Sequence, residues 1–517
     1  MSKQLTYQLF ELISSLSKAE KRAFKLYAKR NFSDKEQLFI QLFDILDKPT
    51  NCDDQKITQK LPQLKGNILS NHKANLYEQL LMSLRLLNHK TPIIRIKEII
   101  SFADILYEKG LYLQSLNQLG KAKQLSISNH ADILHLEILS LEKKIEASYI
   151  TRSHQERATE LIGETNLIRT AIKKEGAWSD LALKMYDYYL KFGHIKNKAD
   201  YQQITQFFHL NLPKGEEELN SFYSKIYNYQ SHVWFNYIVQ DFLLCYKFSL
   251  KWINNFNEFP SMKTSKPILY MKGLHNCLSA LFYCNDAIRF EEKLIELEHF
   301  ISTNQQNFKA NQANQANLAF IYLETARLNL FFLKGEFTNG ANYTNTFQEK
   351  LIPYKSQIDI HRILIFNYKI ACLKFGSDDY KGAIHHLNFI INHQSMSLRE
   401  DIQCFARILN LIAHYELGNE DLIEYQIKST YKFLLKLEEM QKVQHAVFEF
   451  LKKSVRMDKN ELTPYFISLK NELEEILEDK YERRPTLYLD IISWLESKIT
   501  GKSVEEIIYH KKQNTTL

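Results

Sequence analysis

The sequence predicts an all-α chain, an α-solenoid of antiparallel helix hairpins preceded by a small N-terminal helical unit. Between Ala103 and Ala122 two amphipathic helices stand back to back, broken at Glu108-Lys109-Gly110, and looser copies recur near Gly335, Tyr380 and Gly418. Such a hairpin cannot bury its apolar face alone, so units stack on neighbours and share a continuous core. Only 14 Gly and 9 Pro occur in 517 residues, too few for a turn-dense all-β chain, and 45% hydrophobic residues suffice for a core that grows with length.

The elements follow in order. Ser17 with Glu20 and Ser33 with Glu36 have the spacing of capping boxes and mark two helix starts. The second of these helices carries Leu38, Phe39, Leu42, Phe43 and Leu46 on one face and ends before Pro49; a short helix to about Leu61 and a long one to about Leu87 complete a unit over residues 1–90. From Ile93 onward, helices of roughly 15 to 20 residues alternate with short turns. Breaks are expected at Ile195 to Ala199, at Leu212 to Gly215 and above all at Asn257 to Pro267, which divides the array into segments 91–257 and 258–517. The biased tract Asn304 to Asn317 reads as a polar turn and the exposed start of the next helix. Ser503 and Glu506 form a third capping box, before a short final helix.

Composition narrows the setting. Residues 1–90 hold 15 Lys and Arg against 9 Asp and Glu, a net +6 that leaves +1 for the rest of the chain. No stretch is apolar enough for a membrane span, because Val233 to Leu250 and Leu318 to Leu333 carry Gln240, Asp241, Lys247, Glu324 and Arg327. Gln8, Glu11 and Glu20 interrupt the apolar residues of the start, so a secretory signal is not expected and the cytoplasm is the expected location. Cys52, Cys245, Cys277, Cys284, Cys372 and Cys404 form no CxxC pair and read as reduced thiols.

Phe102 to Gln124 resembles a tetratricopeptide repeat, through Ala103, Tyr107, Gly110, Tyr112, Leu119 and Ala122. Ala371 to Ile390 is similar through Ala371, Tyr380, Ala383, Leu387 and Ile390; Gly335, Phe337 and Gly340 give a third copy, and Ala413, Tyr415 and Gly418 a fourth. Small Ala103 lets two helices approach closely, and Gly110 takes the left-handed conformation that ends the first. The steps from Gly335 to Asp378 and from Asp378 to Gly418, 43 and 40 residues, exceed the ~34 of the standard repeat, so the likeness is tetratricopeptide-like. It covers about 91–127 and 318–438, and between 128 and 317 the pattern dissolves into irregular helices. The resemblance implies a superhelix that binds a protein or peptide in its concave groove. The residues it would place there are Lys97, Asp104, Tyr107, Tyr322, Asn329, Phe332, Tyr368 and Phe375. The Lys/Asn clamp with which some relatives grip a terminal carboxylate is missing, since Asp104 and Cys372 stand where asparagine would be needed.

Other constellations are weighed against plain packing. Lys18, Lys21, Arg22, Lys25 and Lys29 fall on one stripe of the helix opened by Ser17 and suit an anionic partner, though a solvated face explains them equally. A helix-turn-helix reading puts Lys65, Asn71, His72, Lys73 and Asn75 on a nucleic-acid groove. Glu474, Glu475, Glu478 and Glu482 form an acidic stripe opposite Leu469, Leu473, Ile476 and Leu477. Gly501-Lys502-Ser503 lacks the earlier glycine of a phosphate loop, and His385, His386 and His393 are spaced too widely for one metal. No catalytic set, metal site or cofactor is expected. The function expected is a non-enzymatic scaffold for another protein or peptide; the alternative is a regulator that contacts nucleic acid through residues 1–90.

Overall fold

Ser17 Oγ accepts the Glu20 N–H at 3.3 Å while the Glu20 carboxylate accepts the Ser17 N–H at 2.7 Å, so this capping box closes as its spacing predicts. Ser503 and Glu506 repeat it at 3.2 and 3.1 Å. The computed structural model describes all residues except 1, 32–36, 49–53, 149–155, 214–220, 305–312, 356, 394–399, 435–441, 455–461, 480, 483–489 and 516–517. Ser33, Glu36 and Cys52 therefore lie outside the described residues, as do 305–312 of the biased tract and part of the 212–215 break. Among the described residues there are 25 α-helices and no strand, so the chain is all-α. None of those helices is long and apolar enough to cross a membrane.

The chain forms two units. Unit 1 comprises Met1–Glu175 with the pieces Ser221–Tyr223 and Asn304–Ala316; unit 2 holds the remainder. In unit 1, α1 (Ser2–Ser15), α2 (Lys18–Asn31), α3 (Gln37–Leu46), α4 (Asp54–Lys60) and α5 (Asn67–Leu87) surround Leu9, Ile13, Phe24, Phe43, Leu76 and Leu80. Then α6 (Pro92–Glu108), α7 (Tyr112–Ser128) and α8 (Asp132–Ser148) bury Ile96, Ala103, Leu119, Ala122 and Ile138 together. Ala103 is fully buried, and Ser115 Oγ on α7 donates to its carbonyl at 2.7 Å, a close approach that a larger side chain would obstruct. The following helix, α9 (Arg157–Phe192), is 36 residues long, about twice the expected length. No proline interrupts it, so no backbone N–H is lost along it.

The later helices are α10 (Lys198–Leu210), α11 (Phe222–Ile238), α12 (Phe242–Glu258), α13 (Pro260–Ser265), α14 (Pro267–Tyr283), α15 (Ala287–Thr303), α16 (Ala313–Lys334), α17 (Phe337–Leu351), α18 (Ile360–Gly376), α19 (Tyr380–Ile391), α20 (Glu400–Glu416), α21 (Glu420–Leu434), α22 (Lys442–Ser454), α23 (Leu462–Ile476), α24 (Ile491–Thr500) and α25 (Val504–Thr515). One turn joins five pairs of them. One or two positions past the first helix lies a left-handed residue, Gln240, Asn285, Gly335, Asp378 or Gly418, with φ between 55° and 71°. Its N–H returns to the carbonyl three residues back and the next N–H to the carbonyl five back, as in Asn285 to Phe282 and Asp286 to Leu281, both 3.1 Å. The residue that follows often caps the second helix: Asp241, Asp286 and Asp379 accept from Leu244, Arg289 and Gly382 at 3.0, 3.0 and 2.8 Å. Hairpins thus continue regularly between 222 and 303, where the sequence suggested irregular helices.

Glycine takes this turn without strain, but three pairs turn on other residues, and the side chain of each of those has a hydrogen-bond partner. Gln240 donates to the Ile195 carbonyl at 3.0 Å, Asn285 accepts from Lys512 at 2.7 Å and Asp378 accepts from the Tyr380 hydroxyl at 2.7 Å. These contacts offset the ~1 kcal/mol or more that a left-handed non-glycine costs. Two of them reach well beyond the turn. Lys512 belongs to α25, whose Glu505 accepts the Thr338 N–H at 3.0 Å and whose Tyr509 lies against Gly335.

Candidate functional site

α14, α16 and α18 are the first helices of three successive hairpins, and they direct polar side chains at one another. α14 opens on Pro267, whose missing N–H costs nothing at a helix start. α18 is capped by Asp359, which accepts the Arg362 N–H at 3.0 Å. A seven-residue step is close to two turns, so Tyr322 and Asn329 share a face of α16, and Arg362 and Lys369 share a face of α18.

The faces meet in layers. The Tyr322 ring stacks on the His275 imidazole, centroids 4.3 Å apart and planes 15° apart. Lys369 Nζ donates to Asn329 Oδ1 and lies 5.4 Å from the centre of the Phe282 ring and 6.0 Å from that of Phe332. Lys272, nearly one turn before His275, lies 5.9 Å from the Trp252 ring. The Arg362 guanidinium holds Asp359 at 3.4 Å and keeps 40% of its side chain exposed. Lys369 is buried; Lys272 and His275 are half-buried.

Burial first, and then the charges of Arg362, Lys369 and Lys272, push the His275 imidazole down to about 3. The ring is therefore neutral near pH 7, with one N–H to donate and one lone pair to accept. Burial pushes the Lys369 ammonium down to about 7, against the pull of the Cys372 thiol. Burial also lowers Lys272, and it raises the Tyr322 hydroxyl against the effect of Arg362. Arg362 and Lys272, joined by Lys369 when it is protonated, place positive charge near a neutral imidazole, with Asp359 as the counter-charge to Arg362. Such a place favours a negative group and repels a positive one.

Of the groove residues expected from sequence, Lys97, Asp104 and Tyr107 lie on α6 in unit 1. Lys97 and Asp104 are exposed, and the half-buried Tyr107 ring sits 5.6 Å from that of Tyr112. The other five lie in unit 2 and are interior: Tyr322, Asn329, Phe332, Tyr368 and Phe375 are all less than a tenth exposed. Phe332 and Phe375 pack on Phe337 and Tyr380. Tyr368 lines a small apolar pocket with Phe405, Ile408, Leu409, Ile412, Gln444 and Ile491. The structure thus gives these five a packing role, and Tyr322 and Asn329 support the polar cluster from behind.

The basic stripe is partly neutralised within unit 1. Lys21 pairs with Asp47 at 2.5 Å and Lys25 with Asp44 at 2.7 Å, while Lys18, Arg22 and Lys29 are exposed. The helix-turn-helix reading loses a member. Lys73 is 1% exposed, bound to Asp54 at 2.5 Å and Thr6 at 2.9 Å, so it faces the core of the bundle and no groove. In the acidic stripe, Glu474 pairs with Lys470 at 2.8 Å. His386 is engaged by Asn367 at 2.8 Å.

Sequence reasoning missed Lys272, His275 and Arg362. They share a face pattern, but nothing short of the fold says that α14 and α18 meet across α16. No protein-family model, curated protein or solved structure matches the chain significantly, so its all-α hairpin fold and this cluster rest on its own residues.

Proposed function

We propose that the chain is a tetratricopeptide-like α-solenoid that serves as a non-enzymatic scaffold, holding a segment of another protein on the face presented by the first helices of its unit 2 hairpins. The observation that carries this reading is the convergence of side chains from three successive first helices, His275 and Lys272 on α14, Tyr322 on α16 and Arg362 on α18, with exposed charge at its edge. Stacked hairpins generate an extended inner surface of this kind, and partly desolvated charge on such a surface orients a partner.

A photoreactive residue at Ser279, one turn beyond His275, tests it against one at Ile295, which is 60% exposed on α15. In lysate a discrete partner should cross-link at 279 and not at 295. Identical products from both positions would remove the inner face as the binding surface.

A further inference from the structure

We infer that Thr338 is a phosphorylation site whose phosphate takes the place of Glu505 at the start of α17 and so frees α25 from the hairpin bend at Gly335. In three hairpins of unit 2 the second helix is capped by its own aspartate, Asp241, Asp286 or Asp379. Glu336 holds the matching place before α17, yet it caps no backbone N–H, and its carboxylate takes the Asn339 side-chain amide at 3.4 Å. The cap comes instead from 167 residues along the chain: one oxygen of Glu505 accepts the Thr338 N–H at 3.0 Å and the other accepts the Thr338 hydroxyl. Thr338 is exposed, so a surface hydroxyl and a helix start share a single carboxylate.

α25 depends on its contacts, because 12 residues are marginal as an isolated helix. Glu505 and Lys512, two turns apart on one face, hold Thr338 and Asn285, and Ile508 and Tyr509 between them lie against Gly335. In the modification a protein kinase uses a nucleoside triphosphate: the Thr338 oxygen bonds to the γ-phosphorus as the bond from that phosphorus to the β–γ bridging oxygen breaks. The hydroxyl proton passes to the kinase's base, and a nucleoside diphosphate departs. Thr338 then has no proton to give Glu505, and about two negative charges face that carboxylate. Both anions suit a helix start, but the phosphate is tethered beside it and Glu505 is not. α17 stays capped while Glu505 is repelled and the Gly335 bend is uncovered.

The intact chain is produced with phosphothreonine at position 338 and compared with the unmodified chain by hydrogen exchange. Amides of α25 should exchange at least about tenfold faster, while the first turns of α17 keep their protection. Phosphothreonine at Thr170, exposed on α9 with its hydroxyl on the Asn166 carbonyl, should leave α25 unchanged. Glu505→Lys should loosen α25 in the unmodified chain, and phosphothreonine at 338 should restore its protection in that variant, because the phosphate then meets an ammonium. Incubation of the intact chain with a lysate of its own cells and a radiolabelled nucleoside triphosphate should place label on Thr338, and Thr338→Val should lose that label.

Unchanged exchange of α25 in the phosphorylated chain would overturn the inference. A loss of protection in α17 as well would also overturn it, since the phosphate would then be breaking the helix start instead of capping it. Failure of phosphothreonine to restore α25 in the Glu505→Lys chain would show that charge at this contact is not what releases the helix. Label on other residues alone, or no label, would remove Thr338 as the acceptor.

Discussion

Lys369 gives an ammonium proton to the side-chain oxygen of Asn329 where neither residue reaches water, at 2% and 6% exposure. Removing one partner strands the other, whereas replacing both with apolar groups strands nothing. Asn329→Leu alone should therefore cost about 2 kcal/mol, and Asn329→Leu with Lys369→Met should equal or exceed the parent by up to about 2 kcal/mol. Urea unfolding of the single and double variants measures the difference. A double variant weaker than both singles would contradict this reading.

The same cluster sets the sign of a pH dependence. His275 titrates at about 3 in the folded chain and near 6.5 when unfolded. Between those values the unfolded chain binds more protons, so stability is lost as pH falls through the window. His386, lowered to about 4 mainly by burial, acts in the same direction. Lys369, about 7 folded and about 10.4 unfolded, makes stability rise with pH above neutrality. Denaturation midpoints should climb from about pH 4 to 6 and again from about 7 to 9. His275→Gln should flatten the first slope in part, and Lys369→Met the second; a decline across either window would show that these groups keep their protons in the fold.

In unit 1, Lys73 and Asp54 offer an asymmetric test. The lysine is buried and the aspartate is 39% exposed. Asp54→Asn leaves an ammonium in the core and should cost about 3 kcal/mol, while Lys73→Met leaves only a carboxylate that water reaches and should cost under about 1 kcal/mol. Thermal unfolding of residues 1–90 within the full chain, read by hydrogen exchange on α5, distinguishes them. Equal losses would mean that the pair is worth no more than a surface bridge.

Two glycines in helices should respond oppositely to alanine. A Cβ at Gly376 would lie 2.2 Å from the Phe337 ring, whereas one at Gly120 would meet nothing within 4 Å. Gly376→Ala should cost about 2 to 3 kcal/mol through overpacking, and Gly120→Ala should gain up to about 1 kcal/mol from helix propensity. Calorimetry on both variants reads the sign directly.

The all-α fold was legible because its signals are local. Ser17 with Glu20 and Ser503 with Glu506 cap helices as their spacing says, and Gly110, Gly335 and Gly418 turn as glycines do. The turns at Gln240 and Asn285 were not legible, because their side chains find partners at Ile195 and Lys512, 45 and 227 residues away. The resemblance put Tyr322 and Asn329 on one groove face, but a likeness of spacing does not say whether that face meets solvent or another helix, and both are buried. Tyr368 and Phe375 show the cost, both buried where a groove was expected. Lys272 and Arg362 belong to one cluster through three-dimensional packing alone, which no window along the chain samples.

The grip of α25 on Asn285 and Thr338 has a consequence for biosynthesis. Nascent chains order from the leading end as they leave the ribosome, yet these two hairpin bends lack their fastening until α25 has been translated. A nascent chain stalled just short of Val504 should hold the preceding hairpins in a loosened, chaperone-accessible form, and their tightening should await the emergence of Glu505 and Lys512.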